Sequence, residues 1–577
     1  MSLPKHLENI SRERVASAPY NFVPLPEKVV CANDNQPQLP AHNSFASEGF
    51  PHSGYFEVSL TTMSPLYVRC PVPVEKFVND ADLAKNSPDF FYSRKNTQPV
   101  IPGSSLRGML RSLLEIAGYG KMQGVSKQKL FYRHQHYQNS PHDLVPNELR
   151  NQDEIDYAEA LFGFVKTESQ SASRIAVTDA SLETGQSEIW LSENPITPRI
   201  LSTPKPSTIQ HYLVQETTTI KRLTNWDSPL EKTVIRGFKR YWHQGLGKGM
   251  SVDEIMKAIA EKAENPKGKG DSDEDTQHTS IKPLRQGISF RFRVYFNNLS
   301  DRELGAICWI LQPPGDEAQN YCHHLGMGKP LGLGAVKLES RLIRTNRKSR
   351  YGGLFDQEGW LTGSDQECEN LADRPTLEKL TESFERHILA ELKLDQQCQR
   401  LRELKRIGML LKTMEWPGFP PDPTGDRHLE VRPNTRYMSI NNPHLNRKDS
   451  NEFKNRPVLP SPAAFGKLTG EVEPGINLAM KQKTVAAVIS ESRPIKSISE
   501  IAAGEAESIR LAIKSLNLPG EVNKVEDIVL RIEKLTNDEY RVDCARKLKD
   551  RLMQIKLKET HKEKPWWKSL NTILGEQ

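Results

Sequence analysis

Apolar and polar residues alternate along two stretches of this chain and recur at helical spacing along several others. Residues 54–69, GYFEVSLTTMSPLYVR, carry apolar side chains at every second position, the pattern of a half-buried strand. Residues 287–297, GISFRFRVYFN, repeat that alternation and predict another strand. Residues 174–182, RIAVTDASL, read as a third. Ahead of it, IPGSSLRGMLRSLLEIAG places Leu106, Met109, Leu110, Leu113 and Leu114 on one helical face. Ser104 or Ser105 is the expected cap of that helix and Gly118 its stop. Residues 300–312, SDRELGAICWILQ, predict a further helix opened by a capping box of Ser300 and Glu303. The glycine-rich run LGMGKPLGLGAVKLESRLI then leads into a final strand.

Strand–helix–strand, an insertion at about 185–285, then strand–helix–strand is the order of a split βαβ sheet. The predicted class is α+β, with a ferredoxin-like (RRM-like) domain over 51–345. Residues 1–50, rich in Pro, Asn and Ser, read as an extended arm, and 71–100 as a loop punctuated by prolines. Residues 258–283 are polar and charged and predict a mobile loop. Residues 346–460 read as an irregular extension with one helix near 375–413. Residues 461–577 predict a basic helical C-terminal domain, interrupted by Pro519 and ending near Pro565.

Composition narrows the class without naming a partner. The 577 residues are 36% hydrophobic and 26% charged, with a net charge of +6. So mild an excess matters only if the basic residues gather on one face. Seven scattered cysteines without a C-x-x-C pair argue against a disulfide framework or a zinc site. The N-terminus lacks the apolar core of a signal peptide, and no apolar run is long enough to span a bilayer. A reducing, cytoplasmic setting without membrane contact is the expectation.

Three segments carry candidate chemistry. Gly326, Gly328, Gly332 and Gly334 free the backbone for positive φ, and Lys329 adds a charge. The run suits either a phosphate cradle or a tight turn into a strand; it matches no nucleotide-hydrolase or dinucleotide motif. At the helix start, Ser104, Ser105, Arg107 and Arg111 bring hydroxyls and two i, i+4 arginines together, which suits phosphate or an ordinary capped helix. RGFKRYWHQ at 236–244 mixes Arg236, Lys239, Arg240 and His243 with Tyr241 and Trp242. Such a mixture suits RNA or a strand whose rings fill the core. His211, His243, His323 and His324 are the candidates for acid–base work.

Taken together, these segments resemble a known family. IPGSSLRGMLRSLLE is similar to the helix-opening motif of RAMP proteins, and GMGKPLGLGAVKL to their glycine-rich loop. LFGF at 161–164 and RIAVTDA at 174–180 resemble the stretch between those motifs. YNFVPLPEKVV, STPKPSTIQHYL, RGFKRYWH and RYMSI look like one single-RAMP branch of CRISPR-associated proteins. The resemblance implies a backbone subunit of a type III CRISPR effector complex, in which sheet and loop hold guide RNA against complementary target RNA beside other subunits. In several such subunits an aspartate ahead of the IPGSS-like motif cuts target RNA. Asp80, Asp82 and Asp89 occupy that loop here, and Asp89 has the closest spacing, although SPDFFY departs from the family's surroundings. The resemblance firmly implies no cofactor, and a divalent metal such as Mg2+ only if target RNA is cleaved. Two rivals remain: a guide-processing endoribonuclease of the same superfamily, and a structural adaptor without RNA contact.

Overall fold

Phe56, Val58 and Leu60 are buried along one side of β2 (His52–Thr62), and the residues between them lie on the opposite side. A computed structural model of the chain describes residues 5–32, 49–71, 88–122, 144–199, 206–259, 279–347, 369–419, 451–474, 522–554 and 565–574, with a few short breaks, and the short pieces 39–40, 355–356, 359–360, 437–438, 509 and 513. The expected mobile loop falls largely outside them. Its ends do not: 258–259 close a helix, and Ile281 bridges to Ile196.

In chain order the described elements begin with β1 (Tyr20–Val23), β2, β3 (Val100–Ile101), α1 (Gly103–Ala117) and α2 (Tyr157–Phe162). The short strands β4 (Phe164–Val165), β5 (Gln170–Ser171), β6 (Ile175–Val177), β7 (Ala180–Leu182) and β8 (Phe238–Tyr241) follow. Next come α3 (Val252–Ile259), β9 (Ser289–Leu299), α4 (Asp301–Leu311), β10 (Asn320–Tyr321), β11 (His323–His324) and β12 (Ala335–Thr345). The main sheet runs β11-β12-β2-β9-β7-β3, with β6 also on β9, and every pairing is antiparallel. The fold is mixed α+β. The third predicted strand is split into β6 and β7, and the first ends at Thr62 rather than Arg69.

One face of the sheet is closed by α1 and α4. Leu106, Leu110 and Leu114 of α1, and Leu304, Ile307 and Leu311 of α4, share a core with Phe56, Val58, Phe290, Phe292 and Val294. Each such side chain contributes roughly 1.5–3 kcal/mol on leaving water. The predicted capping box of α4 is present: Ser300 Oγ accepts from Glu303 N, and Glu303 Oε2 accepts from Ser300 N at 3.0 Å. A third layer, α5 (Arg374–Glu391), approaches α4 so closely that a Cβ at Gly305 would overlap the Leu380 carbonyl. Where one helix near 375–413 was expected, there are two, α5 and α6 (Lys405–Met414).

The described part of residues 1–50 reaches into the fold. β1 pairs with β8, Tyr20 opposite Tyr241, and Tyr20, Phe22 and Val23 are buried.

The chain divides into two compact units, 1–474 and 475–577. In the second, α7 (Val522–Glu533), α8 (Asp538–Gln554) and α9 (Pro565–Leu574) enclose Val525, Ile528, Leu548, Leu552, Trp567 and Leu570. Pro565 therefore opens a helix rather than ending the domain; at the first helical position its missing N–H leaves no bond unmade. Among the described residues no helix is long and apolar enough to cross a membrane.

Candidate nucleic-acid interface

The start of α1 is capped, but not by serine. Pro102 is its N-cap residue, and no side chain of that residue caps the helix. Ser104 and Ser105 lie inside the first turn, Ser104 exposed. The Gly103 N–H instead donates to the Asp179 carboxylate at 2.7 Å, so a carboxylate from the β6–β7 segment occupies the positive end of the helix. Gly103 is needed there, because a Cβ would overlap the Val177 carbonyl. Arg107 donates to the Phe162 carbonyl and lies over that ring; Arg111 donates to Glu115 Oε1 at 3.2 Å and toward the Gly163 carbonyl at 3.4 Å. Both arginines thus serve the carboxyl end of α2, where helix carbonyls gather partial negative charge.

The glycine-rich loop is a pre-folded turn. Gly326, Gly328, Gly332 and Gly334 have φ of 75°, 73°, 87° and 83°. At Gly326 a Cβ would overlap the Tyr67 carbonyl, and at Gly334 the Leu325 carbonyl, so positive φ and close backbone approach both demand glycine. The amides of Met327 and Gly334 donate to Tyr67 and Pro65, and those of Leu331 and Gly332 close the turn on Gly328 and Lys329. Lys329 Nζ reaches back to the Gly326 carbonyl. Burial draws its ammonium down to about 8.

β8 and its continuation lie beneath this loop. Arg236 is buried and donates to the Leu459 and Pro460 carbonyls at 2.6 and 2.5 Å. Lys239 Nζ donates to Tyr212 Oη at 3.0 Å and stands 4.0 Å over the Tyr20 ring; burial lowers it to about 8. Burial also lowers the Arg240 guanidinium, whose Nε is buried without a hydrogen-bond partner. His243 stacks on His324 with centroids 3.8 Å apart, and its Nε2 meets the Cys322 carbonyl at 3.0 Å. His323 Nε2 meets the Ile310 carbonyl at 2.7 Å. Burial pulls His211 and His243 to about 3, His323 to about 4, and His324 well below its ordinary value. These four histidines are neutral and enclosed at physiological pH.

Asp89 is exposed; its carbonyl accepts from Cys70 N at 3.0 Å. Asp80 and Asp82 lie outside the described residues. Among the described residues no three His, Cys, Asp or Glu side chains converge into a group that would hold a metal ion. The described side chains around Asp89 thus supply no ready-made set of metal ligands. Cys31, Cys70, Cys308, Cys322, Cys398 and Cys544 are all free thiols.

Among the described residues the sheet face opposite α1 and α4 is exposed at Arg291, Arg293 and Tyr295, and its residues were missed as site candidates in the sequence. Tyr55 on β2 stands opposite Tyr295 on β9, ring centroids 5.5 Å apart, and the Arg293 guanidinium lies 4.6 Å from the Tyr55 ring centre. Arg291, Arg293, Lys337 and Arg341 extend the same face. Surface carboxylates pair with three of them: Glu183 with Arg291 at 3.1 Å, Glu57 with Arg293 at 2.6 Å and Glu339 with Lys337 at 2.9 Å. Such exposed pairs are worth about 0–1 kcal/mol each and exchange readily for phosphate. The signal was present in GISFRFRVYFN, whose alternation puts arginine, arginine and tyrosine on one side.

Residues 59–337 match the family model of the RAMP superfamily. That span runs from within β2 into β12 and contains α1, the β6–β7 segment, β9, α4 and the glycine-rich loop. Those residues form a RAMP-superfamily region. A CRISPR-associated role involving RNA comes with that membership in general terms. A search of curated proteins returned no match. Within the RAMP domain the motifs divide by what they hold. The glycine-rich loop and the helix start build the sheet's frame, and the open face presents rings and cations outward.

Proposed function

We propose that this RAMP protein binds guide RNA across the open face of its sheet, as a backbone subunit of a type III-like CRISPR effector complex acting on complementary target RNA. The observation that carries the reading is the Tyr55–Tyr295 pair with Arg293 over one ring. Rings on a sheet stack on splayed bases, and flanking guanidiniums meet phosphates. The strand order β12-β2-β9-β7, with α1 and α4 on one side, supports a ferredoxin-like reading of the domain. The type III assignment rests on the resemblance of the motifs. Lys329 within the glycine-rich loop and Arg240 beside it add cations to the same domain. Enclosed, neutral histidines weigh against the guide-processing endoribonuclease, which needs an accessible acid–base pair.

The test is the affinity of the purified full chain for single-stranded RNA. Replacing both tyrosines (Tyr55→Ala with Tyr295→Ala) should weaken binding about tenfold or more, since each stacked base is worth about 1–3 kcal/mol. An unchanged affinity in a variant that melts like the parent would overturn the reading.

A further inference from the structure

Five basic side chains from three segments meet under the glycine-rich loop: Arg240 of β8, His243 just after it, His323 and His324 of β11, and Lys329 of the loop itself. His243 lies flat on His324, the two planes 2° apart. Beyond the effect of burial, the Arg240 charge lowers His243, His323, His324 and Lys329, so Arg240 is the shared neighbour of all four. Among the described residues no carboxylate forms an ion pair with any of the five.

Their polar atoms are unanswered too. Arg240 Nε, His323 Nδ1 and both ring nitrogens of His324 are buried without a hydrogen-bond partner. A buried guanidinium without a counter-charge weakens a fold, and an enclosed imidazole with both nitrogens idle weakens it further. An anion offsets both defects at once. The loop amides of Met327, Leu331, Gly332 and Gly334 already bond to the chain's own carbonyls, so side chains must hold it. Burial lowers Arg240 only to about 10 and Lys329 to about 8, which leaves two cations at pH 7. Two cations match a dianion. Free phosphate or a phosphate monoester carries close to two charges near neutral pH, whereas a carboxylate or a phosphodiester carries one. Arg240 and Lys329 keep part of their surface in solvent, which gives the anion a way in, while His323 and His324 are enclosed.

We infer that Arg240, Lys329 and His324 form an oxyanion site for one free or terminal phosphate group, held by side chains under the glycine-rich loop. The guanidinium and the ammonium meet phosphate oxygens, and His324 donates one ring N–H. None of these residues lies on β2 or β9, so the inference stands whether or not RNA crosses the sheet.

Isothermal titration of the full chain with inorganic phosphate, at ionic strength fixed with sodium chloride, tests this beside a short RNA carrying a 5′-phosphate and its 5′-hydroxyl twin. Free phosphate should bind with Kd below about 1 mM, or the phosphorylated RNA should bind at least tenfold tighter than its twin. The first result, with twins that bind alike and leave phosphate in place, makes the free ion the ligand; the second makes it a chain end. Arg240→Met should weaken either binding at least tenfold, yet melt no lower than the parent in chloride, because it removes an unpaired buried charge. Lys329→Gln should weaken it at least threefold and serves if Arg240→Met fails to fold. Parent affinity should fall from pH 7 to 9 as Lys329 loses its proton. Absence of phosphate binding with twins that bind alike would overturn the site. So would displacement of phosphate by the hydroxyl twin as readily as by the phosphorylated one, since an internal phosphodiester would then be the ligand. Undiminished phosphate affinity in both variants would overturn it as well.

Discussion

Arg174 and Glu303 form a buried ion pair that ties the β6 segment to the first turn of α4, with Arg174 Nη1 2.9 Å from Glu303 Oε2. Arg174 also donates to the carbonyls of Ala160 and Asn298, and Glu303 simultaneously completes the capping box with Ser300. One guanidinium thereby joins α2, β9 and α4. Removing one partner leaves a charge buried alone, so Arg174→Ala should destabilise the domain by about 3–5 kcal/mol. Urea denaturation checks this; a loss under about 1 kcal/mol would mean that water reaches the pair.

The cap of α1 gives a sharper contrast. Asp179→Ala removes the acceptor of the Gly103 N–H and should cost about 1–2 kcal/mol, whereas Ser104→Ala should change stability by less than about 0.5 kcal/mol. Thermal melts of the two variants separate the cases. A larger loss at Ser104 would restore serine as the cap.

What the sequence made legible follows from where each cause lies. The alternation in 54–62 and 287–297 and the Ser300–Glu303 box are local, so the strands and α4 could be read directly. The cap of α1 could not, because its acceptor lies 76 residues downstream. Arg236 and its neighbours resembled an RNA-binding run in composition, yet composition does not report burial. The carbonyls that hold Arg236 come from more than 220 residues away. The open sheet face was implicit in the same alternation that revealed the strands. The glycine-rich motif is the more conspicuous signal, but its glycines answer the chain's own backbone.

Stability should fall on acidification. An unfolded histidine titrates near 6.5, while burial holds His211 and His243 near 3 and His323 near 4. Below pH 6.5 the unfolded chain takes up protons that the native state refuses, so stability is lost as pH falls from about 6.5 toward 4. Each group contributes up to about 1.4 kcal/mol per pH unit. His211→Phe, which keeps a ring against Phe453, should flatten the decline between pH 7 and 5 in thermal melts. An unaltered slope would mean that His211 protonates in the folded protein.

Arginines of the two faces should respond differently to salt. If Arg293 meets an RNA phosphate, Arg293→Ala lowers the slope of log K against log salt by about 0.7. Arg107, bound to the end of α2, should leave that slope unchanged and lower stability instead. Affinities at four salt concentrations decide between them; the reverse result would move the phosphate contacts to the helix start.

Mapping where bound RNA touches the protein tests the central claim most directly. Ultraviolet crosslinking of single-stranded RNA to the full chain, followed by mass spectrometry of the peptides, reports the contact residues. RNA on the open face predicts crosslinks at Tyr55 and Tyr295, on β2 and β9. Crosslinks confined to other segments, with both tyrosines unmodified, would contradict it.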